Sequence, residues 1–235
     1  SDNFLESMEK GLGFELPKEH GYDVVESIRA MEQGGVEVFV CMGGNFLSAT
    51  PDTRRTAKAM KNIDLTVQIS TKLNRSHLIT GQTALILPVL GRTEIDIQNS
   101  KKQFVTVENS MGVVHRSEGK LKPTSSTLMS EPSIVAELGH RLVPNNLPWL
   151  NLSSNYDGIR DLMSRSLNGF ENYNQRVRQE NGFLLPNPPR DELKFKTPSG
   201  KAVFSMNPLP DVSVKENEYV LMTMRSHDQY NTTIY

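Results

Sequence analysis

The sequence has very little cysteine: Cys41 is the single one among 235 residues. One cysteine excludes an internal disulfide and any Cys-x-x-Cys metal or iron–sulfur site. Long apolar runs are also missing, since none approaches the roughly 20 residues needed to cross a bilayer. The first residues lack the basic start and apolar core of a signal peptide. We therefore expect a cytoplasmic chain in a reducing compartment, without a membrane partner.

An excess of positive charge is absent as well. The formal net charge is −1, which supplies no basic field and argues against nucleic acid as a partner. Hydrophobic residues make up 37% and charged residues 23%, as in ordinary globular proteins. A chain of this length suits one large domain, or one domain and part of another.

Recognisable catalytic patterns are missing too. The five histidines show no metal-ligand spacing such as His-x-x-x-His, and no Ser-His-Asp set can be detected from spacing. The glycines do not form the Gly-x-Gly-x-x-Gly fingerprint of dinucleotide-binding folds. Cys41 is more typical of a buried strand end than of an activated thiol. We accordingly predict no catalytic residue and no metal ligand.

What the sequence does contain is helices alternating with short apolar strands. Residues Tyr22–Gln33 have apolar positions at helical spacing, and Val36–Cys41, Asp64–Ile69 and Thr83–Val89 read as strands. A helix is expected from about Pro51, with Thr50 as its N-cap. This order predicts an α/β fold: an open, mainly parallel sheet with helices on both faces.

A β-rich segment is predicted to follow. The alternating runs IDIQ and FVTVE suggest an edge hairpin, and Glu131–Leu142 and Tyr156–Leu167 suggest helices. Proline-rich sequence from Phe183 reads as a linker, Phe195–Phe204 as a hairpin and Tyr219–Met224 as a strand. We expect an α/β domain over 1–182, a linker and hairpin over 183–217, and the start of a truncated domain over 218–235.

Small and polar residues follow the first two predicted strands. In an open α/β sheet, ligands bind at the carboxyl ends of the strands. Glycine lets the backbone approach a ligand, and a helix N-terminus favours phosphate, but a tight capped turn explains the same residues equally well. The candidate binding residues are Gly43, Gly44, Asn45, Gln68, Ser70 and Thr71.

A second polar cluster lies at the carboxyl terminus, after the predicted strand YVLMTM. It reads either as a ligand clamp or as a polar loop at a frayed end. Its candidate binding residues are Arg225, His227, Gln229, Asn231 and Thr232.

Three stretches resemble one family, the molybdopterin-guanine-dinucleotide (bis-MGD) oxidoreductases, and within it the formate dehydrogenase alpha subunits. They are CMGGNFLSATPDT, the segment from IDLTVQISTKLNRSH to GQTALILPVLGRTEID, and TPSGKAVF followed by YVLMTMRSHDQYNTTIY. Phe46 stands where the family has proline, and Thr83-Ala84 stands where an Ala-Asp pair is usual. Both departures affect contacts with the base of the nucleotide.

The resemblance implies the third domain of such an enzyme and the start of its carboxy-terminal dinucleotide-binding domain. It implies that the strand-end residues hold the guanosine and phosphate end of one molybdopterin guanine dinucleotide. The carboxy-terminal cluster is expected near the pterin and phosphates, with molybdenum or tungsten in the full-length protein. The resemblance also implies further cofactors and partners. They are an iron–sulfur cluster in a missing amino-terminal domain, the other domains of the same enzyme and an electron-transfer subunit.

The whole enzyme would transfer two electrons at the metal, and the piece alone is expected to be inactive. The alternatives are a free-standing nucleotide-binding α/β module without metal chemistry, and a structural domain whose strand-end loops are only turns.

Overall fold

A computed structural model of the chain describes residues 2–209 and 213–221. The chain divides into two units, 1–185 and 186–235. The predicted domain boundaries stay a prediction.

A parallel three-stranded sheet organises the amino-terminal part of the first unit. Its strands are β1 (Val38–Met42), β2 (Leu65–Ser70) and β3 (Thr83–Pro88), in the order β1-β2-β3. The strands are rich in valine, isoleucine and leucine, as expected of parallel sheets. With its flanking helices and the antiparallel strands that follow, the sheet confirms the predicted α/β class.

The first hydrophobic core forms where two helices cover one face of this sheet. Helix α2 (Val24–Glu32) starts with a capping box at Asp23, and α4 (Thr53–Met60) packs beside it. The spacing of apolar residues along each helix brings them to a single face. The buried residues of this core are Ile28, Met31, Leu47, Ala59, Met60 and Ile63. Phe39, Phe46 and Ile79 are partly buried and pack against them.

The start of α4 differs from the prediction. Asp52, not Thr50, is the N-cap, and its Oδ1 accepts a hydrogen bond from the Arg55 N–H at 2.9 Å. Thr50 instead ends α3 (Phe46–Ala49), and its buried hydroxyl lies 2.7 Å from that of Thr56. Because a carboxylate already occupies the N-terminus of α4, that terminus is a poor phosphate site.

Antiparallel strands follow the parallel sheet, but the two alternating runs do not pair with each other as an edge hairpin, because each pairs with a different strand. The pair β4 (Ile97–Gln98) and β5 (Lys101–Lys102) turns through Asn99 and Ser100, both at positive φ. Strand β6 (Val105–Glu108) is paired with β7 (Val113–Ser117), and β7 also pairs with β8 (Phe183–Leu184).

Strand β8 (Phe183–Leu184) forms at the start of the stretch whose composition suggests a linker. Phe183 pairs with Val114 and is buried in a second core, together with Tyr173 and Val177. Composition alone misses this because the strand is only two residues long and precedes a proline-rich stretch.

Helices complete the first unit. Glu131–Leu142 is helical as predicted, and Tyr156–Ser166 ends one residue earlier than predicted. An ion pair joins the buried Arg160 to the partly exposed Asp157, and Arg160 also stacks on Phe104 at 3.9 Å. The helices other than α2 to α4 are α1 (Asp2–Leu12), α5 (Glu131–Leu142), α6 (Trp149–Ser154), α7 (Tyr156–Ser166) and α8 (Tyr173–Arg176).

The second unit has one short helix, α9 (Pro188–Glu192), in its described part. The predicted hairpin over Phe195–Phe204 is present only as a turn, in which Gly200 N–H donates to Thr197 O at 3.0 Å. Neither arm of the predicted hairpin is a strand. Residues 219–221, the described part of the predicted final strand, are not in a strand either. Among residues 2–209 and 213–221, no helix has the length and apolar character to cross a membrane.

The first core generates a stability prediction. Met60 is fully buried between α4 and the sheet, so Met60→Ala should lower the free energy of unfolding by about 2–5 kcal/mol through lost burial and a residual cavity. Urea unfolding of the chain, followed by circular dichroism, measures this. Met111→Ala is the matched control, because Met111 is 72% exposed and its truncation should change stability by less than about 0.5 kcal/mol.

Candidate functional site

The glycine pair Gly43-Gly44 forms an open turn directly after β1. Both residues have positive φ, +66° and +68°, and nothing lies within 4 Å of where a Cβ would stand on either. Gly43 N–H donates to Ile69 O at 2.7 Å, which holds the turn beside the end of β2. The turn therefore presents bare backbone at the carboxyl edge of the sheet, where α/β proteins bind ligands.

Asn45 joins this turn to the loop that follows β2. Its Oδ1 accepts hydrogen bonds from Ser76 Oγ at 3.0 Å and from Ser48 N–H at 3.4 Å. Ser76 Oγ in turn accepts from Leu47 N–H at 3.0 Å. Both Asn45 and Ser76 are buried. The side-chain oxygen of Asn45 is therefore occupied by hydrogen bonds within the protein and stabilises the loop.

Two further hydrogen bonds strengthen the same connection. Asn74 Nδ2 donates to Gly44 O at 2.7 Å, and Gln68 Nε2 donates to Ser76 O at 3.3 Å. Gln68 is 2% exposed, because it points to the helix-covered side of the sheet. The structure thus brings Gly43, Gly44, Asn45 and Gln68 together, but it shows Gln68 as a buried support of the loop.

Ser70 and Thr71 lie at the end of β2. Ser70 Oγ donates to Lys72 O at 2.7 Å, which shapes the turn, whereas the Thr71 side chain is exposed. Of the predicted site residues in the first unit, Thr71 offers the freest side chain.

His77 was missed by the sequence reading, and it has an unusual environment. It lies in the 3-10 helix Arg75–Leu78, is 8% exposed, and its Nδ1 accepts from Asn74 N–H at 3.0 Å. In the neutral tautomer that fits this bond, Nε2 carries the proton. Within the described residues Nε2 is buried without any hydrogen-bond partner, a state that proteins seldom tolerate.

The unused donors of these two loops define what the arrangement can do. Among the described residues, Gly44 N–H, Asn45 Nδ2 and His77 Nε2 donate to no acceptor. Because all three belong to loops that the Asn74–Gly44 bond ties together, they suit a ligand rich in acceptor oxygens or nitrogens. We call the loops 43–45 and 70–77 the strand-end site.

A cleft of about 940 Å³ lies next to Thr71, beyond the ends of β2 and β3. Three cationic side chains and three carboxyl groups line it, so it has no single sign of charge. They are Lys72, Arg92 and Lys122, and Glu94, Asp96 and Glu131.

Glu94 is a fixed carboxylate on this cleft. It accepts hydrogen bonds from Gly91 N–H at 2.7 Å and from Thr124 N–H and Oγ1 at 2.8 and 2.9 Å. The bond from Gly91, and then those from Thr124, hold the pKa of Glu94 below its usual range. An anchored, ionised carboxylate of this kind closes a loop and is a poor proton donor.

Tyr156 is a second fixed group, and it is bonded to Asp96 and Ser130, which line the cleft. Its hydroxyl donates to Asp96 Oδ2 at 2.6 Å and lies 2.6 Å from Ser130 Oγ. Burial, followed by the bond to Asp96, raises the pKa of Tyr156, so the phenol stays protonated. It ties α7 to the start of α5 and does not act as a base.

Cys41 has the environment of an unreactive thiol. It is partly buried, and its Sγ donates to Gly43 O at 3.4 Å. Burial raises the pKa of the Cys41 thiol, which disfavours the nucleophilic thiolate.

The second predicted cluster lies outside the described residues: Arg225, His227, Gln229, Asn231 and Thr232. Their binding role stays a prediction. Within residues 2–209 and 213–221, no three His, Cys, Asp or Glu side chains group together as metal ligands.

Comparison with known proteins finds relatives over the whole chain. It is 51% identical over 236 residues to "Uncharacterized oxidoreductase Rv2900c" of Mycobacterium tuberculosis and to "Uncharacterized oxidoreductase Mb2924c" of Mycobacterium bovis. It is 44% identical over 239 residues to "Protein YdeP" of Escherichia coli K12. No family model matches the chain.

All of this chain aligns with each relative, but it spans only 30% of the two mycobacterial proteins and 31% of YdeP. The chain is therefore homologous to a segment of larger proteins, among them proteins named as oxidoreductases.

The link between the two loops generates a testable prediction. Ser76→Ala removes the hydroxyl that serves both Asn45 and Leu47, leaving the buried Leu47 N–H unpaired and Asn45 Oδ1 with only the 3.4 Å bond from Ser48 N–H. Chemical unfolding should show a loss of about 1–3 kcal/mol. Ser126→Ala, at an exposed position, is the control and should leave stability within about 0.5 kcal/mol.

Proposed function

We propose that this chain is the cofactor-binding segment of a bis-MGD oxidoreductase of the formate dehydrogenase-like type. In this proposal the strand-end site holds the guanosine and phosphate end of one molybdopterin guanine dinucleotide. When bound, that group supplies two-electron redox chemistry at molybdenum or tungsten. The segment itself contributes binding and orientation, and no residue of it is assigned a proton-transfer or nucleophilic role.

The observation that carries the proposal is the donor-rich turn at the carboxyl edge of the parallel sheet. Gly43 and Gly44 leave the backbone accessible, and the free donors of Gly44, Asn45 and His77 complement the acceptors of phosphate or guanine. The residues present therefore fit the nucleotide end of the cofactor. Asn45 would act through its amide nitrogen, because Ser76 and Ser48 already use its oxygen.

The relatives support the broader part of the proposal. Two of them are named as oxidoreductases, and the match covers every part of this chain. Since the chain spans about 30% of their length, the metal centre and the electron acceptor would be sought in other segments of such a protein.

The proposal predicts the contents of the longest natural polypeptide that contains this chain. Purified without added cofactor, it should hold molybdenum or tungsten by elemental analysis, and acid treatment should release GMP and a pterin. The 235-residue chain alone should bind GMP or GDP weakly or not at all in calorimetry, because the family's cofactor lies between domains.

Two results would overturn the proposal. One is a full-length protein that holds neither metal nor pterin. The other is tight binding of a simple nucleotide by the 235-residue chain, which would favour a free-standing nucleotide-binding module.

His77 allows a sharper test of the strand-end site. His77→Asn keeps an acceptor near the position of Nδ1 but removes the Nε2–H. The GMP and metal content of the full-length variant should therefore fall at least several-fold below that of the unmutated protein. His77→Gln, whose amide nitrogen replaces Nε2, is the matched variant and should retain more of both.

The stability of the cofactor-free protein separates this role from a structural one. If Nε2–H serves a ligand, His77→Asn should not lower the melting temperature of the apo form. Equal cofactor loss in both variants, together with a lower apo melting temperature in both, would show that His77 only packs the loop.

A further inference from the structure

One face of the parallel sheet is apolar and uncovered. Strand alternation and the register Val40↔Val67↔Leu85 bring the even-numbered residues of β1 and the odd-numbered residues of β2 and β3 to this side. We call it the open face. Its exposed or partly exposed members are Val38, Val40, Met42, Leu65, Val67, Thr83, Leu85 and Leu87, whereas Ile69 on the same side is buried.

The exposure of these side chains is large for a sheet of this kind. Val40 is 50% exposed, Met42 42% and Leu85 47%, whereas Phe39, one residue from Val40, packs into the first core on the other side. Parallel sheets occur almost only with both faces covered, which is why their strands are apolar throughout. The sequence of β1 to β3 is thus that of a doubly covered sheet.

The chain's own connections cannot cover the open face. The connection from β1 to β2 contributes α4 to the first core, and the connection from β2 to β3 contributes Ile79 to the same core. Both connections therefore pass over the same side. Helix α1 packs on α7, where Ser7 Oγ donates to Ser166 O at 2.8 Å.

The composition of the open face identifies the kind of partner that fits. Its exposed side chains are uncharged, and all are apolar except Thr83 at the start of β3, so charged ligands gain nothing there. A partner with apolar side chains is favoured, because contiguous exposed apolar patches mark protein–protein contacts. A helix with an apolar stripe has the usual geometry for covering a parallel sheet.

We propose that the open face is covered by such helices from another segment of the same polypeptide, outside these 235 residues. The relatives are the reason for choosing this occupant: the chain spans 30% of the mycobacterial proteins, which leaves 70% of each for further segments. A covalently attached segment meets the face at an effective concentration of millimolar order, which a separate protein rarely reaches. The proposal does not depend on which cofactor the strand-end site binds.

Thiol labelling of the native proteins tests the proposal. In a Cys41→Ala background, Val40→Cys should react with a maleimide in the 235-residue chain and be protected about tenfold or more in the full-length polypeptide. Met111→Cys, in the exposed turn between β6 and β7, is the control for general accessibility and should react in both. Equal labelling of Val40→Cys in the two proteins would overturn the proposal.

A second variant distinguishes the occupant. Val40→Lys should lower the melting temperature of the full-length polypeptide by several degrees, but leave that of the 235-residue chain within about one degree, since Val40 is exposed there. Sedimentation of the 235-residue chain completes the test. A stable dimer that Val40→Lys converts to monomer would make a second copy the occupant and refute a segment in cis.

Discussion

The hydrogen-bonded link from Asn45 to Ser76 is the interaction on which the carboxyl edge of the sheet depends. These residues belong to different strand-to-strand connections, and the bond between them fixes the loop after β1 against the loop after β2. Leu47 N–H, Gln68 and Asn74 add their hydrogen bonds around it. Because the link is buried, each partner lost would leave a polar group without water or protein to satisfy it.

This link changes how the polar residues at the strand ends are understood. Asn45 and Gln68 have the side chains that could read a nucleotide, yet their main contacts are internal. Recognition would therefore fall to the groups that the link leaves free, which are the glycine backbone, one amide nitrogen and His77 Nε2. A binding site supported in this way is rigid before the ligand arrives, which limits the ordering cost of binding.

Local sequence determines much of this fold. Secondary structure can be predicted from it where the pattern of apolar and capping residues is regular. The three parallel strands were predicted to within two residues, and α5 was predicted at its observed bounds, because Ser130 caps it and Pro132 lies in its first turn. The errors lie where a distant partner decides the structure. Phe183 is a strand because Val114 pairs with it, and Thr50 ends a helix because its hydroxyl contacts Thr56.

The site was less predictable than the fold for the same reason. Gly43, Gly44 and Asn45 carry a local signal, since glycine and asparagine after an apolar strand mark a tight turn. Ser76 and His77 carry none, because their importance arises only when the loop after β2 folds back onto the loop after β1. Asn74 had the one available signal, as an N-cap residue ahead of a short helix.

The open face and the strand-end site are two consequences of one topology. Both strand connections pass over the Phe39 side, so they bury the polar link and the first core there and leave the opposite side apolar and bare. A cofactor held at the sheet edge would then lie at the margin of whatever covers that face. The covering segment would thus contribute to closing the site, which is the physical reason for expecting the 235 residues alone to bind a nucleotide weakly.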